Sequence, residues 1–325
     1  MEVLVIGTES LGVRGLSCMV YAGSRRYLID PGVALGYVRS GLLPHPCQVA
    51  LGDAVRERII SAFGEATDIV ISHYHGDHIP LADANPYQLS LDRAPVLEGT
   101  SVWAKGPSGL STLSLKRRMD LMERSGWKIV PSEGTTRAGL CFSGPVPHGS
   151  PHSRLGSVMM TCIRDGDESF VHASDIQLLN RKSAEVIREW KPDVVIASGP
   201  PLYLDRLSGD DRLVAWRNAV DIAACVGLLI LDHHLLRSCE GFRWLERLSA
   251  ETGGNVVSAS KFMGRKPCIL EAQREELYGR VPVPPGWHDA YARGKTGFHE
   301  FIDMELAEEM KRARNQEPVK ISMFT

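Results

Sequence analysis

At 325 residues the chain is long enough for one elaborated α/β domain or two small ones. Its 43% hydrophobic and 23% charged residues are those of an ordinary folded globule, which excludes disordered, collagen-like and membrane-spanning classes. Lys+Arg (37) nearly balance Asp+Glu (39), and the formal charge of -2 gives no global field to draw nucleic acid or an anionic membrane. The seven cysteines are odd in number and contain no CxxC pair, the inventory of a reduced, cytoplasmic protein. The opening MEVLVIG lacks the basic start of a signal peptide, and the longest apolar run, Ile222 to Leu231, falls well short of the about 20 residues a bilayer requires.

In chain order, Val3–Ile6, Ser17–Ala22 and Arg26–Ile29 are short β-type runs between glycine-rich turns, which predicts an antiparallel opening. Helical spacing follows over Asp53–Phe63 with Asp53 as N-cap, then a β-branched strand over Thr67–Ile71. Residues 84–112, rich in Pro, Gly and Ser, predict a long surface excursion and a candidate lid. Leu113–Ser125 has helical spacing and Trp127–Val130 strand character; Gly156–Arg164 and Ser169–His172 form a hairpin around Asp165-Gly166. Helices and strands then alternate: helix Ile176–Trp190, strand Asp193–Ala197, helix Asp210–Ala224, strand Gly227–Leu231, helix Glu240–Glu251 and strand Asn255–Ala259. A tail from about residue 261 holds a helix-like segment, a proline-rich turn at Val281–Pro285 and a charged helix near Glu300–Arg314. We read the chain as one domain, with a core over residues 1–260 and an extension over 261–325 packed on it.

The chemistry concentrates in Ser72-His73-Tyr74-His75-Gly76-Asp77-His78, directly after an apolar strand. Alternate residues of an extended segment project to one side, so His73 and His75 can share an ion, and Asp77 and His78 can swing to a second one where the chain turns. Further ligands should come from other strand ends. His148 in Pro147-His148-Gly149 is preferred over His152, and Asp175, ending Val171-His172-Ala173-Ser174-Asp175, suits the carboxylate that bridges two cations. His172 reads as a packed strand residue. Leu228–Leu231 discharges into Asp232-His233-His234; adjacent strand residues face opposite ways, and His233 is chosen with His234 as its alternate. Arg237 and Lys261 read as surface charges that could meet an anionic substrate.

With Asp30 in Leu28-Ile29-Asp30-Pro31-Gly32, the ordered set HYHGDH, His148, Asp175 and His233 resembles the metallo-β-lactamase superfamily over roughly residues 1–240. The Ser198–Leu204 and Leu231–Arg237 segments are most similar to a prokaryotic branch of metallo-hydrolases that carries no assigned substrate. The resemblance implies a four-layer αββα sandwich, a first metal on His73, His75 and His148, a second on Asp77, His78 and His233, Asp175 bridging, and Asp30 as a supporting carboxylate. It also implies that Asp77 accepts the proton of the attacking water. His75 is histidine where flavin-linked di-iron relatives have glutamate, which favours hydrolysis; PHGSPHS stands where glyoxalases and lactonases carry GHTPGS. Asp232-His233-His234 spells the signature of the DHH phosphoesterases, but the upstream half carries HxHxDH rather than the aspartates that family needs.

The expected function is therefore a metal-dependent hydrolase with two divalent ions, zinc before manganese or iron, acting on an ester, amide or phosphodiester bond of a small molecule. An RNA-processing nuclease is the alternative, disfavoured by the neutral charge. A non-catalytic metal protein is the third reading; closed cysteine-rich sites are the usual form of those. No membrane is expected as a partner, and the oligomeric state is open.

Overall fold

The computed structural model describes residues 1–95, 99–137, 139–150, 153 and 156–324. The chain opens with β1 (Glu2–Gly7), β2 (Ser17–Ala22) and β3 (Arg25–Ile29), followed by α1 (Pro46–Glu65), β4 (Asp68–Ile71), β5 (Ser101–Ala104), α2 (Thr112–Arg124) and β6 (Ile129–Pro131). It continues through β7 (Thr136–Arg137), β8 (Leu140–Phe142), β9 (Val146–Pro147), β10 (Ser157–Val158), β11 (Thr161–Asp165) and β12 (Glu168–His172). Then α3 (Arg181–Trp190), β13 (Val194–Ala197), α4 (Gly209–Ala223), β14 (Leu228–Leu231), α5 (Cys239–Glu251) and β15 (Val256–Val257) alternate. The tail comprises α6 (Ala259–Phe262), α7 (Arg274–Arg280), α8 (Trp287–Ala292), α9 (Met304–Arg314) and β16 (Val319–Lys320).

Among the described residues the strands form two seven-stranded sheets, ordered β16-β1-β2-β3-β4-β5-β6 and β15-β14-β13-β12-β11-β8-β7, with β9 and β10 paired separately. Each sheet changes from antiparallel to parallel partway across, at β3–β4 in one and β12–β13 in the other. The period-2 alternation of side chains decides the layers. Val3 and Val5 of β1, Val194 and Ile196 of β13, and Leu228 and Ile230 of β14 meet between the sheets. Leu4 and Ile6 turn outward against α1, α9 and the base of α2. Val195, Leu229 and Leu231 turn outward against α3, α4 and α5. The result is helix, sheet, sheet, helix: the αββα sandwich of the metallo-β-lactamase type. Parallel strands need crossover helices, and ligands collect beyond the carboxyl ends of such strands. Here the ends of β3, β4, β12 and β14 carry Asp30, the 72–78 segment, Asp175 and the 232–234 triplet.

Three boundaries differ from the sequence reading. Helix α1 starts at Pro46, not Asp53, with His45 as N-cap in a capping box with Gln48. Its first half buries Gln48, Gly52 and Arg56 as well as apolar residues, because the tail packs over the side a surface helix leaves to water. The 84–112 stretch is not wholly a surface excursion: β5 lies inside it, paired in parallel between β4 and β6 with Val102 and Ala104 buried. Helix α3 starts at Arg181, capped by Asn180, rather than at Ile176. The tail lies against the rest of the chain, since β16 pairs with β1 and α9 packs on α1.

Candidate metal centre

The carboxylate of Asp175, 1% exposed, sits at the middle of the histidine cluster, and its two oxygens face different neighbours. Oδ2 lies 3.4 Å from His73 Nε2, 3.7 Å from His75 Nδ1, 3.2 Å from His148 Nε2 and 3.3 Å from His234 Nε2. Oδ1 lies 3.1 Å from His78 Nε2 and 3.2 Å from His233 Nε2. Asp77 Oδ2 is 3.5 Å from His233 Nε2, which adds a carboxylate on the Oδ1 side. Ligand atoms of His73, His75, His148 and Asp175 all lie within 4.8 Å of one another, as do those of Asp77, His78 and His233. His233 and His234, weighed as alternatives, both reach Asp175 on opposite oxygens. His233 has φ +39°, so the chain turns sharply there instead of continuing the pleat. His152 falls outside the described residues.

Asp30 orders this cluster from behind. It is fully buried with φ +47°, and accepts from Ser72 N–H (2.8 Å) on Oδ1 and from Ser72 Oγ (2.6 Å), Ser174 Oγ (2.8 Å) and His78 Nδ1 (3.0 Å) on Oδ2. A carboxylate only accepts, so His78 donates Nδ1–H to Asp30, which aims Nε2 at Asp175; a carboxylate at each nitrogen raises the basicity of the ring. Ser72 spends its one proton on Asp30, so at 2.9 Å from His73 Nδ1 it accepts, and His73 Nε2 is left free. Ser72 follows β4 and Ser174 follows β12, so Asp30 fastens the carboxyl ends of both sheets together.

Several residues here carry no sequence signal. Glu9 Oε2 lies 2.7 Å from His233 Nδ1 and orients that ring; Gln177 Nε2, 3.1 Å from His234 Nδ1, orients the other. Asp232 accepts from Thr8 Oγ1, from the backbone N–H of Ser10 and His233, and from Ala259 N–H, so it anchors the turn and is spent structurally. Arg237 is a correction: it is buried, not on the surface, donates to Glu9 and Asp77, and stands over the His233 ring. Lys261 is exposed. His172 is packed as expected, its Nε2 2.8 Å from Leu16 O. Trp103 and Trp287 belong to the core, while Tyr203 touches Arg237.

Burial and proximity set the charges. Burial, aided by neighbouring His78 and His75, pushes His73 down to about 3, and burial lowers His148 too. Burial opposes ionisation of Asp175, but the surrounding histidines override it and hold the carboxyl well below its ordinary range. His73 and His148 thus present neutral imidazoles beside an ionised carboxylate, the forms that bind cations. At His78 burial is outweighed by the flanking Asp175 and Asp30, and at His233 by Glu9 and Asp175, and these rings are raised instead. His73 Nε2, both ring nitrogens of His148, and Asp175 Oδ1 are buried with no hydrogen-bond partner among the described residues. Such atoms each cost about 1–3 kcal/mol unless satisfied; His73 Nε2 and His148 Nε2, both turned toward Asp175 Oδ2, fit donors of one bound cation.

The site opens to solvent on the side of His75, 33% exposed, and Asp77, 18% exposed. A cavity of about 350 Å³ adjoins it, lined by His73, His75, Gly109, Leu110, Ser111 and Ser157 among others. The loop after β5, part of the candidate lid, therefore forms one wall. A cavity of about 440 Å³ between α1 and the tail, lined by Cys47, Cys268, Leu277 and Phe301 among others, lies away from the histidines. Among the described residues no helix is long and apolar enough to cross a membrane.

No protein-family model matches the chain. Among solved structures it is similar to an isothiocyanate hydrolase from Delia radicum gut bacteria (TM-score 0.50, 15% identity, 80% of this chain and 96% of that one). It is also similar to the metallo-beta-lactamase fold protein YhfI from Bacillus subtilis (TM-score 0.49, 17% identity, 79% and 96%). In sequence it is 48% identical over 302 residues to a UPF0282 protein of Methanosarcina mazei, covering 93% of this chain and 100% of that relative. A UPF0282 protein of Pyrococcus furiosus is 37% identical over 290 residues, 86% of this chain and 92% of that relative. On this likeness, and with the metallo-β-lactamase fold described above, the chain belongs to the UPF0282 family.

Proposed function

We propose that the chain is a cytoplasmic metal-dependent hydrolase working as one domain, with core 1–260 and extension 261–325. In this reading His73, His75 and His148 hold one divalent cation, with His234 beside them; Asp77, His78 and His233 hold a second; and Asp175 bridges. Zinc suits the imidazole-rich donor set, with manganese or iron as alternatives. When bound, such a pair acidifies water toward neutral pKa and polarises a carbonyl or phosphoryl oxygen.

The chain's own residues supply the rest. Asp30, Glu9 and Gln177 fix His78, His233 and His234, so the donors are aimed before any cation arrives. Asp77, on the open side, is assigned the proton of the attacking water at its carboxylate. The wall of Gly109, Leu110 and Ser111 beside the centre supports a small molecule or a slender ester, amide or phosphodiester as the substrate.

The observation that carries this reading is the Asp175 carboxylate, whose two oxygens each face a separate set of imidazoles. The test strips the protein with chelator, reloads it with zinc or manganese, and assays chromogenic esters, anilides and phosphodiesters. Turnover is expected only in the loaded protein and is lost in His148→Ala and Asp175→Asn. Turnover by the metal-free chain, or failure to bind any divalent cation, refutes it.

A further inference from the structure

The two halves of the centre differ in one respect. His73 Nε2 and His148 Nε2 have no hydrogen-bond partner among the described residues. In the other half a cation is already built in. The Arg237 guanidinium, 7% exposed, donates from one terminal nitrogen to Asp77 Oδ2 at 3.3 Å, and the same nitrogen lies 2.9 Å from His233 Nε2. Its Nε donates to Glu9 Oε1 at 2.7 Å and its other terminal nitrogen to Tyr203 at 3.3 Å. The nitrogen that reaches Asp77 also lies 3.3 Å from His233 Nδ1, so it sits over the imidazole, while Glu9 holds Nδ1 and Nε2 faces Asp175 Oδ1 and Asp77 Oδ2.

We infer that Arg237 is an internal competitor for the second cation, so that the centre loads in order. This rests on the metal reading above. The His73/His75/His148 half fills first; the Asp77/His78/His233 half fills only when the guanidinium nitrogen withdraws from His233 and Asp77. A guanidinium cannot lose its charge, so a dication drawn to Asp77 and His233 must displace its hydrogen bond to Asp77 and then face a like charge at short range. Glu9 balances that charge and keeps the arginine in place through Nε, which makes the contact reversible: one nitrogen leaves while the other two stay bonded.

The experiment is a zinc titration of the chelator-stripped protein, followed by calorimetry with a competing chelator and by elemental counting of bound metal. The wild type should bind in two steps, the second weaker by about tenfold or more. Arg237→Gln, which keeps a donor for Glu9 but no charge, should tighten the second step by about tenfold and leave the first unchanged. Arg237→Lys, which keeps the charge, should leave the second step weak. Thermal melts of the metal-free variants confirm folding; if Arg237→Gln does not fold, the wild-type isotherm and Arg237→Lys decide. Two steps of equal affinity in the wild type, or an unchanged gap in Arg237→Gln, overturn the inference while leaving the metal reading intact. No binding by any form overturns both.

Discussion

Replacing Asp30 tests whether the centre is organised from behind by one carboxylate. Burial pushes Asp30 up, but the His78 N–H and the nearby imidazoles hold it well below the ordinary carboxylate range, so it is charged throughout the folded pH range. Four donors converge on it, three of them on Oδ2. In Asp30→Asn the amide oxygen can stand in for Oδ2, and the NH2 group then meets the Ser72 N–H, donor against donor. One lost bond of this kind in a buried place costs about 2 kcal/mol. Asn also tolerates the left-handed backbone at this position. Asp30→Ala strands all four donors, leaves His78 without its anion and puts alanine at φ +47°, for a cost of about 4 kcal/mol or more. For a chain of this length each kcal/mol lowers Tm by about 2 °C, so metal-free thermal melts near neutral pH should show drops of about 4 °C and 8 °C. Urea titration should show the same order. If Asp30→Ala lies within about 1 kcal/mol of wild type, the four hydrogen bonds do not organise the sheet ends as argued.

Gly32 faces the 72–78 loop so closely that a Cβ would overlap the backbone of His78 and Ile79. Gly32→Ala should therefore lower Tm and cut divalent-metal binding together, whereas Gly144→Ala, in open space, should change neither. Glu271 is pushed up by burial, but the Arg14 guanidinium, bidentate at 2.5 and 2.7 Å, overrides this and holds it at about 2. A folded pKa below the ordinary 4.5 means the unfolded chain takes up the proton first. Stability from this pair is thus complete above about pH 4.5 and lost as pH falls toward about 2, up to about 3 kcal/mol. Glu271→Gln should flatten that part of the stability curve, read by urea melts at stepped pH. Loss of one donor in His148→Ala should weaken the first metal step by about 10–100-fold, read by chelator competition.

The centre was legible in sequence where its residues are crowded or stand at strand ends: His73 to His78 lie within one turn of chain, and His148, Asp175 and His233 each follow a β-run. The supporting residues were not. Glu9 is a lone acid in a polar loop and finds its partner His233 only through the sandwich. Arg237 looks like any charge beside a short helix until the fold buries it. The same limit hid half of α1, since a helix covered on both sides shows no polar stripe. It also hid β5, whose four residues sit among prolines and glycines that signal a loop.

Asp30, Ser174 and His233 all hold left-handed backbone angles, φ +47°, +51° and +39°. Each such non-glycine corner costs of order 1 kcal/mol and persists only while its surroundings enforce it. Hydrogen bonds to Asp30 and Asp232 hold these corners, and the apolar layers on either side of the two sheets hold the strands that carry them. Damage to those layers far from the histidines, or simple heating, should let the corners relax before the rest of the molecule melts. Cation affinity would then act as an early gauge of the sandwich's mechanical integrity, falling at temperatures where the bulk circular dichroism is still that of the native chain.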